Sequence, residues 1–464
     1  MKNHFNFHRY GKDNVLITND FGCYTFLTDQ ELKEFILNRV DLDSELHAKL
    51  KQGLFLIDPV ETYSHEVIHD LRQMKSYVFQ ATSLHIFVVT NACNLSCIYC
   101  QAKDKEHQEF GYMTEDIAYK AVDIALQSPA QKLNFEFQGG EPLLNFPIIQ
   151  KIIKYTEEHR KLKEVQYTIV SNFTLLTEDI LDYLLQHHVS ICTSLDGPQF
   201  LHDCNRPFAF GKSSYERANN GIKLLKERGC TVSAIQTTTR YSLPYAKEIV
   251  QEYVKLGTPG IFLRPLTPLG FAKNDWRQIG YYPEEFLRFY RQAFVEILKV
   301  NREGTYFSEL HAAYFLRKIL QNNPNNYMEL RSPCGASVGQ LAYYYDGQIY
   351  TCDEARMIGE SGDKAFCLGN VFENNYDNLI SCGVCKATCA ASIVESVPGC
   401  CDCVYQPYCG ICPVVNYSTD GDIFSKQYRN YRCRIYNGIL DFLFELIKNN
   451  NAEVMKILYS WIES

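Results

Sequence analysis

Between residues 85 and 266 short apolar, β-branched runs recur: HIFVVT (85–90), LNFEFQ (133–138), QYTIVS (166–171), SICTSL (190–195), TVSAIQTTT (231–239) and GIFLRP (260–265). Stretches with helical spacing separate them, at 114–127, 147–163, 177–187, 213–228 and 244–256. This alternation is the pattern of parallel βα units joined by right-handed crossovers. Six strands are too few for a closed eight-fold barrel, so the expected fold is α/β, a partial (β/α)6 barrel. Ahead of it, NVLITNDFGCYTFL (14–27) reads as two short strands around an Asn-Asp-Phe-Gly turn. Two helices follow, TDQELKEFILN (28–38) and SELHAKLKQ (44–52), each opened by a good N-cap residue. That segment is a small α+β unit.

A chain of 464 residues is long enough for two or three domains. Its net charge of −8 argues against a nucleic-acid-binding surface. No apolar run reaches the length of a membrane span, and MKNHFNFHRYGKDN at the start lacks a signal-peptide core, so the expectation is a cytoplasmic protein without membrane contact. The 19 cysteines change the picture more, because 12 of them fall within 334–433. In a long chain without an export signal, that density points to metal or redox chemistry rather than to disulfides. The compositional shift near NNPNNY (322–327) suggests a division into a unit at 1–78, a barrel with a helical extension at 79–325, a cysteine-rich domain at 326–440 and a C-terminal helix at 441–464.

The polar motifs all follow predicted strands, on the face that carries active sites in parallel α/β folds. TNACNLSCIYCQAK (90–103) holds Cys93, Cys97 and Cys100 in C-x3-C-x2-C spacing. Thiolates select zinc or iron–sulfur; a structural zinc would take a fourth ligand such as His107, whereas three thiolates on a [4Fe–4S] cluster leave one iron open. In GGEP, Gly139 and Gly140 allow close backbone approach and Glu141 supplies a negative charge for an ammonium; a plain βα turn has the same composition. Ser194 and Asp196 offer hydrogen bonds to a ribose or carboxylate, and Arg206 offers a carboxylate fork, although Asp196 before Gly197 is also good turn chemistry. Ser171 and Asn172 are further ribose contacts or simply a polar strand end.

Further on, Cys334, Gly347 and Cys352 are spaced C-x12-G-x4-C, and Cys400, Cys403, Cys409 and Cys412 follow as C-x2-C-x5-C-x2-C, with Cys433 after 20 intervening residues. Zinc is the other tenant of such C-x2-C pairs. Cys382, Cys385 and Cys389 form a third group, C-x2-C-x3-C, which reads by default as buried free thiols, as do Cys23, Cys192, Cys204 and Cys230.

The opening cysteine motif closely resembles that of the radical S-adenosylmethionine (SAM) superfamily, and the later one resembles the SPASM extension of its peptide-modifying members. LHIFVVTNACNLSCIYCQA, FEFQGGEPLLNF, TSLDGPQFLHDCNRP, IFLRPLTPLGFA, YDGQIYTCDEARMIGESGDKAFCLGNV and GCCDCVYQPYCGICPV look like the His-Xaa-Ser system radical SAM maturases, over nearly all of 10–440. The resemblance implies SAM held by the open iron of a cluster on Cys93, Cys97 and Cys100, with Tyr99 beside the adenine and the 139–141 turn at the methionyl amine. It also implies two auxiliary [4Fe–4S] clusters, one on Cys400, Cys403, Cys409 and Cys433, the other on Cys334, Cys352 and Cys412 with its fourth ligand open. Cys401 could stand in for Cys400, and the x2 spacing of Cys409 and Cys412 departs from the usual x3. The implied reaction is crosslinking of a ribosomally made precursor peptide docked through the N-terminal unit, with electrons from a flavodoxin or ferredoxin. An anaerobic sulfatase maturase making formylglycine is the alternative enzyme, and a zinc-stabilised peptide-binding scaffold the non-enzymatic one.

Overall fold

The computed structural model describes all residues except 58–64, 104–109, 209–212, 324–326, 425–429 and 464. His107 and part of the 322–327 turn therefore lie outside the described residues. An N-terminal antiparallel sheet comprises β1 (Asn6–Arg9), β2 (Val15–Thr18) and β3 (Tyr24–Leu27). β1 carries no apolar alternation, and its place comes from pairing with β2 rather than from local pattern. Helices Asp29–Ile36 and Glu45–Gln52 cover one face of this sheet; Thr28 caps the first with a reciprocal Glu31 bond, and Val15, Ile17, Leu32, Phe35 and Phe55 form the small core between them.

The main sheet holds β4 (Leu84–Val88), β5 (Lys132–Gln138), β6 (Glu164–Ser171), β7 (Val189–Ser194), β8 (Ser233–Thr237), β9 (Gly260–Arg264), β10 (Ser308–Glu309), β11 (Gln340–Tyr343), β12 (Gln348–Tyr350) and β13 (Cys367–Asn370). Its order is β10-β9-β8-β7-β6-β5-β4-β11-β12-β13, open at both ends. The six expected strands lie side by side and parallel, with the expected helices between them. Two more parallel strands extend the run: two-residue β10 beside β9, and β11 beside β4. β11 comes from the cysteine-rich region, so that region grows from the barrel sheet through a buried strand, and β12 and β13 add to it antiparallel.

Two helices close the chain, Tyr431–Asn449 and Ala452–Ser460, rather than one beginning at 441. The first packs on Pro283–Arg302, where Phe294 meets Phe442 edge-on at 5.0 Å. No helix among the described residues is long and apolar enough to cross a membrane.

Candidate active site

The loop leaving β4 carries Cys93, Cys97 and Cys100 over the C-terminal ends of the parallel strands. Backbone contacts set its path. Gly140 N–H donates to Thr90 O at 2.9 Å and Glu141 N–H to Ala92 O at 2.8 Å. A Cβ on Gly140 would stand 2.3 Å from Ala92 O and 2.5 Å from Asn91 O. The close approach that this glycine permits is thus to the cysteine loop itself. At the other end of the loop, Phe271 N–H donates to Cys100 O at 2.8 Å, and a Cβ on Gly270 would meet Cys100 O and Gln101 O at 2.6 Å. Gly270, which carries no sequence signal, buttresses the loop through a contact more than 160 residues away in the chain. We expect Gly140→Ala to displace the loop and lower iron incorporation several-fold. Colorimetric iron analysis after anaerobic reconstitution checks this.

Glu141 is 1% exposed and its carboxylate is largely committed. It accepts from Ser171 Oγ at 2.7 Å, Asn172 N–H at 2.8 Å and Leu143 N–H at 3.1 Å, the last capping the short helix Pro142–Asn145. Burial raises its pKa, opposed by these donors. Glu141, Ser171 and Asn172 are therefore one hydrogen-bonded group. Asn172 reaches on to Asn94 Oδ1 at 3.0 Å, beside Cys93, whose sulfur accepts from Leu95 N–H at 3.4 Å.

Tyr99, Asp196 and Arg206 form a second buried group. Tyr99 OH donates to the Asp196 carboxylate at 2.9 Å, and Arg206 Nη1 donates to Tyr99 OH at 2.6 Å. Asp196 is fully buried; desolvation raises its carboxyl pKa while Arg206, Tyr99 and Thr237 N–H oppose that rise. Its backbone N–H donates to His202 Nδ1 at 3.3 Å, a contact with no sequence signal. Ser194 ends β7 two residues before Asp196, half-buried.

Desolvation raises all three loop thiols, Cys93 to about 12 and Cys100 to about 11, with Cys97 adding to each. Such thiols stay protonated unless a cation holds them as thiolates, which fits a metal-cluster donor set. A cavity of about 680 Å³ lies against the inner face of the parallel sheet, lined by Glu136, Gln138, Cys192, Arg264, Asp353 and Glu354 among others. Arg264 bridges Glu329 at 3.1 Å and Glu354 at 3.7 Å.

The C-terminal cysteines separate into two sets. Cys334, Cys352 and Cys412 share one buried apolar cluster, and each thiol's ionisation is opposed by burial, with Cys352 sensing both others. Cys400 senses Cys409, Cys433, Cys403 and also its neighbour Cys401. Among the described residues no three His, Cys, Asp or Glu side chains converge on a single-ion position; only Cys334, Cys352 and Cys412 share one apolar cluster, while Cys403 and Cys409 pack on a different one from Cys400.

A Radical SAM superfamily model matches residues 87–263, the parallel core with its cysteine loop. That match supports an S-adenosylmethionine-dependent enzyme whose parallel core is of the radical SAM type, with the [4Fe–4S] cluster that this type implies. Among particular relatives, the cysteine-type anaerobic sulfatase-maturating enzyme of Clostridium novyi is 24% identical over 370 residues, covering 76% of this chain and 94% of that protein. Native anSMEcpe with bound AdoMet superimposes with a TM-score of 0.69 at 20% identity, over 79% of this chain and 98% of its own. SuiB of Streptococcus suis bound to its precursor peptide SuiA does so with a TM-score of 0.55 at 14% identity, over 90% of this chain and 97% of its own. The two structural likenesses show the fold.

Proposed function

We propose that the protein crosslinks a ribosomally made peptide whose leader docks on the N-terminal sheet, as in the His-Xaa-Ser system maturases that the sequence resembles. The observation that carries this reading is how that sheet sits. Asn6 Nδ2 donates to Cys401 O at 2.9 Å and Cys403 O at 3.1 Å, and Thr18 Oγ1 donates to Val404 O at 2.7 Å. β1 is an edge strand among the described residues, and its own Phe7 is half exposed. An extended peptide adds to such an edge through main-chain hydrogen bonds, and this edge stands on the auxiliary cysteine segment. The anSMEcpe chain leaves about a fifth of this one without a counterpart, so an added recognition unit is consistent with the comparison.

In this reading Cys93, Cys97 and Cys100 hold the SAM-binding cluster. Cys400, Cys403, Cys409 and Cys433 hold one auxiliary cluster, and Cys334, Cys352 and Cys412 hold another. Bound SAM supplies hydrogen-atom abstraction from an unactivated carbon. The chain's own residues orient and enclose. The Glu141, Ser171 and Asn172 group fixes the loop where the resemblance would put the methionyl end, and the Tyr99, Asp196 and Arg206 group holds the ring of Tyr99 rigid where an adenine would lie. The polar interior at Glu136 and Arg264 receives the substrate segment and excludes bulk water. A crosslink removes two hydrogens from the peptide, one as an atom and the other as a proton with an electron, and a cluster held by either auxiliary cysteine set would supply an acceptor for that electron.

The test is anaerobic incubation of the purified enzyme with SAM, dithionite and each short peptide whose reading frame is found next to its gene. Loss of two hydrogens and a joined fragment in tandem mass spectra support the proposal. The curated sulfatase maturases among its relatives favour a second reading, for which a hydrazide-reactive aldehyde is the signature. We expect Phe7→Pro, which reshapes the β1 edge, to cut peptide modification at least tenfold while peptide-free SAM cleavage stays within twofold. Equal loss of both activities would assign the sheet a structural role only.

A further inference from the structure

Cys382, Cys385 and Cys389 stand outside the groupings above. Cys382 caps helix Gly383–Ala390 and the other two lie within it, so all three share one helical face. The end of that helix is tied to Cys334. Cys334 N–H donates to Ser392 Oγ at 3.0 Å, and the Ser392 hydroxyl donates to Cys389 O at 2.9 Å. Val394 N–H donates to Ser332 Oγ at 3.1 Å, so 389–394 runs against 332–334. On the same face the Cys385 thiol lies against Cys389, and Ser337 N–H donates to Thr351 O at 2.7 Å, next to Cys352. The Cys389 thiol is within charge range of Cys334, whereas the Cys382 sulfur turns back to accept from Cys385 N–H at 3.5 Å.

We infer that Cys389 is the fourth thiolate of the set formed by Cys334, Cys352 and Cys412, delivered by helix Gly383–Ala390 from outside the spacing motif, with Cys385 steadying its sulfur. This rests on the auxiliary-cluster reading above. Three buried thiols in an apolar pocket leave a [4Fe–4S] cluster one ligand short, and Cys389 brings the same soft donor from a neighbouring element that is hydrogen-bonded to Cys334 through its end. The consequence is functional. A cluster with four protein thiolates has no open iron for a substrate thiol, so it serves as an electron carrier, and substrate is held by the polar barrel interior instead.

The experiment uses full-length protein with Cys93, Cys97 and Cys100 replaced by alanine, so that only auxiliary clusters remain. The parent should bind about eight irons per chain. Adding Cys389→Ala should lower this by about one iron and give a three-iron electron paramagnetic resonance signal after mild oxidation. Cys389→Ser should retain the iron with shifted g values, and Cys382→Ala should match the parent. A Cys389→Ala protein with parental iron and spectrum overturns the inference. If Cys389→Ala is misfolded by circular dichroism, Cys389→Ser decides, and unchanged g values there overturn it equally. A parent carrying no iron would instead refute the auxiliary-cluster reading, a distinguishable result.

Discussion

Replacing Cys93, Cys97 and Cys100 together by alanine should abolish formation of 5′-deoxyadenosine from SAM under dithionite. It should also remove about a third of some twelve irons per chain, the rest remaining on the auxiliary sets. The loop offers three thiols and no spare, and Gly140 and Gly270 fix its path at both ends, so no cysteine of another group can slide into a vacated place. Each single substitution should already reduce cleavage by orders of magnitude. High-performance liquid chromatography of the nucleoside and iron analysis of the same samples check the two halves independently. Continued cleavage by the triple variant would overturn the assignment of the loop.

Replacing Arg206 by methionine should cost roughly 3 kcal/mol of stability at neutral pH, because it strands the buried Asp196 carboxylate without its cation. The sign can be worked out from the groups present. Desolvation already raises the Asp196 pKa and Arg206 holds it down, so removing Arg206 raises it further in the folded state. A carboxyl raised on folding contributes stability below its unfolded pKa and loses it as pH rises through the folded value. The deficit of Arg206→Met relative to wild type should therefore be small near pH ~4 and grow toward neutrality. Adding Asp196→Asn should recover much of it. Urea unfolding at three pH values, with the double variant as control, measures this. A deficit independent of pH would mean that Arg206 acts by packing on Tyr99, whose ring centroid lies 5.9 Å from its guanidinium.

Much of this arrangement follows from local pattern. Six parallel strands, the helices between them and the placement of polar motifs at strand ends are periodic features of contiguous sequence, and the structure has all of them. The cysteine loop is legible for the same reason, since chance seldom puts three thiols within eight residues. β1 is not, because a strand reading Asn-Phe-His-Arg gains its place only from pairing with β2.

What the sequence by itself determined is which groups exist and on which face of a parallel sheet they stand: periodicity sets strand and helix, and strand direction sets the face. Only the tertiary structure decided which of them meet. It brought Gly270 against Cys100, joined Arg206 to Asp196 through Tyr99, ran β11 alongside β4, and laid the end of helix Gly383–Ala390 against Cys334. Each of these contacts spans tens to hundreds of residues and forms because packing and hydrogen-bond satisfaction are properties of the whole core. No window of sequence contains both partners.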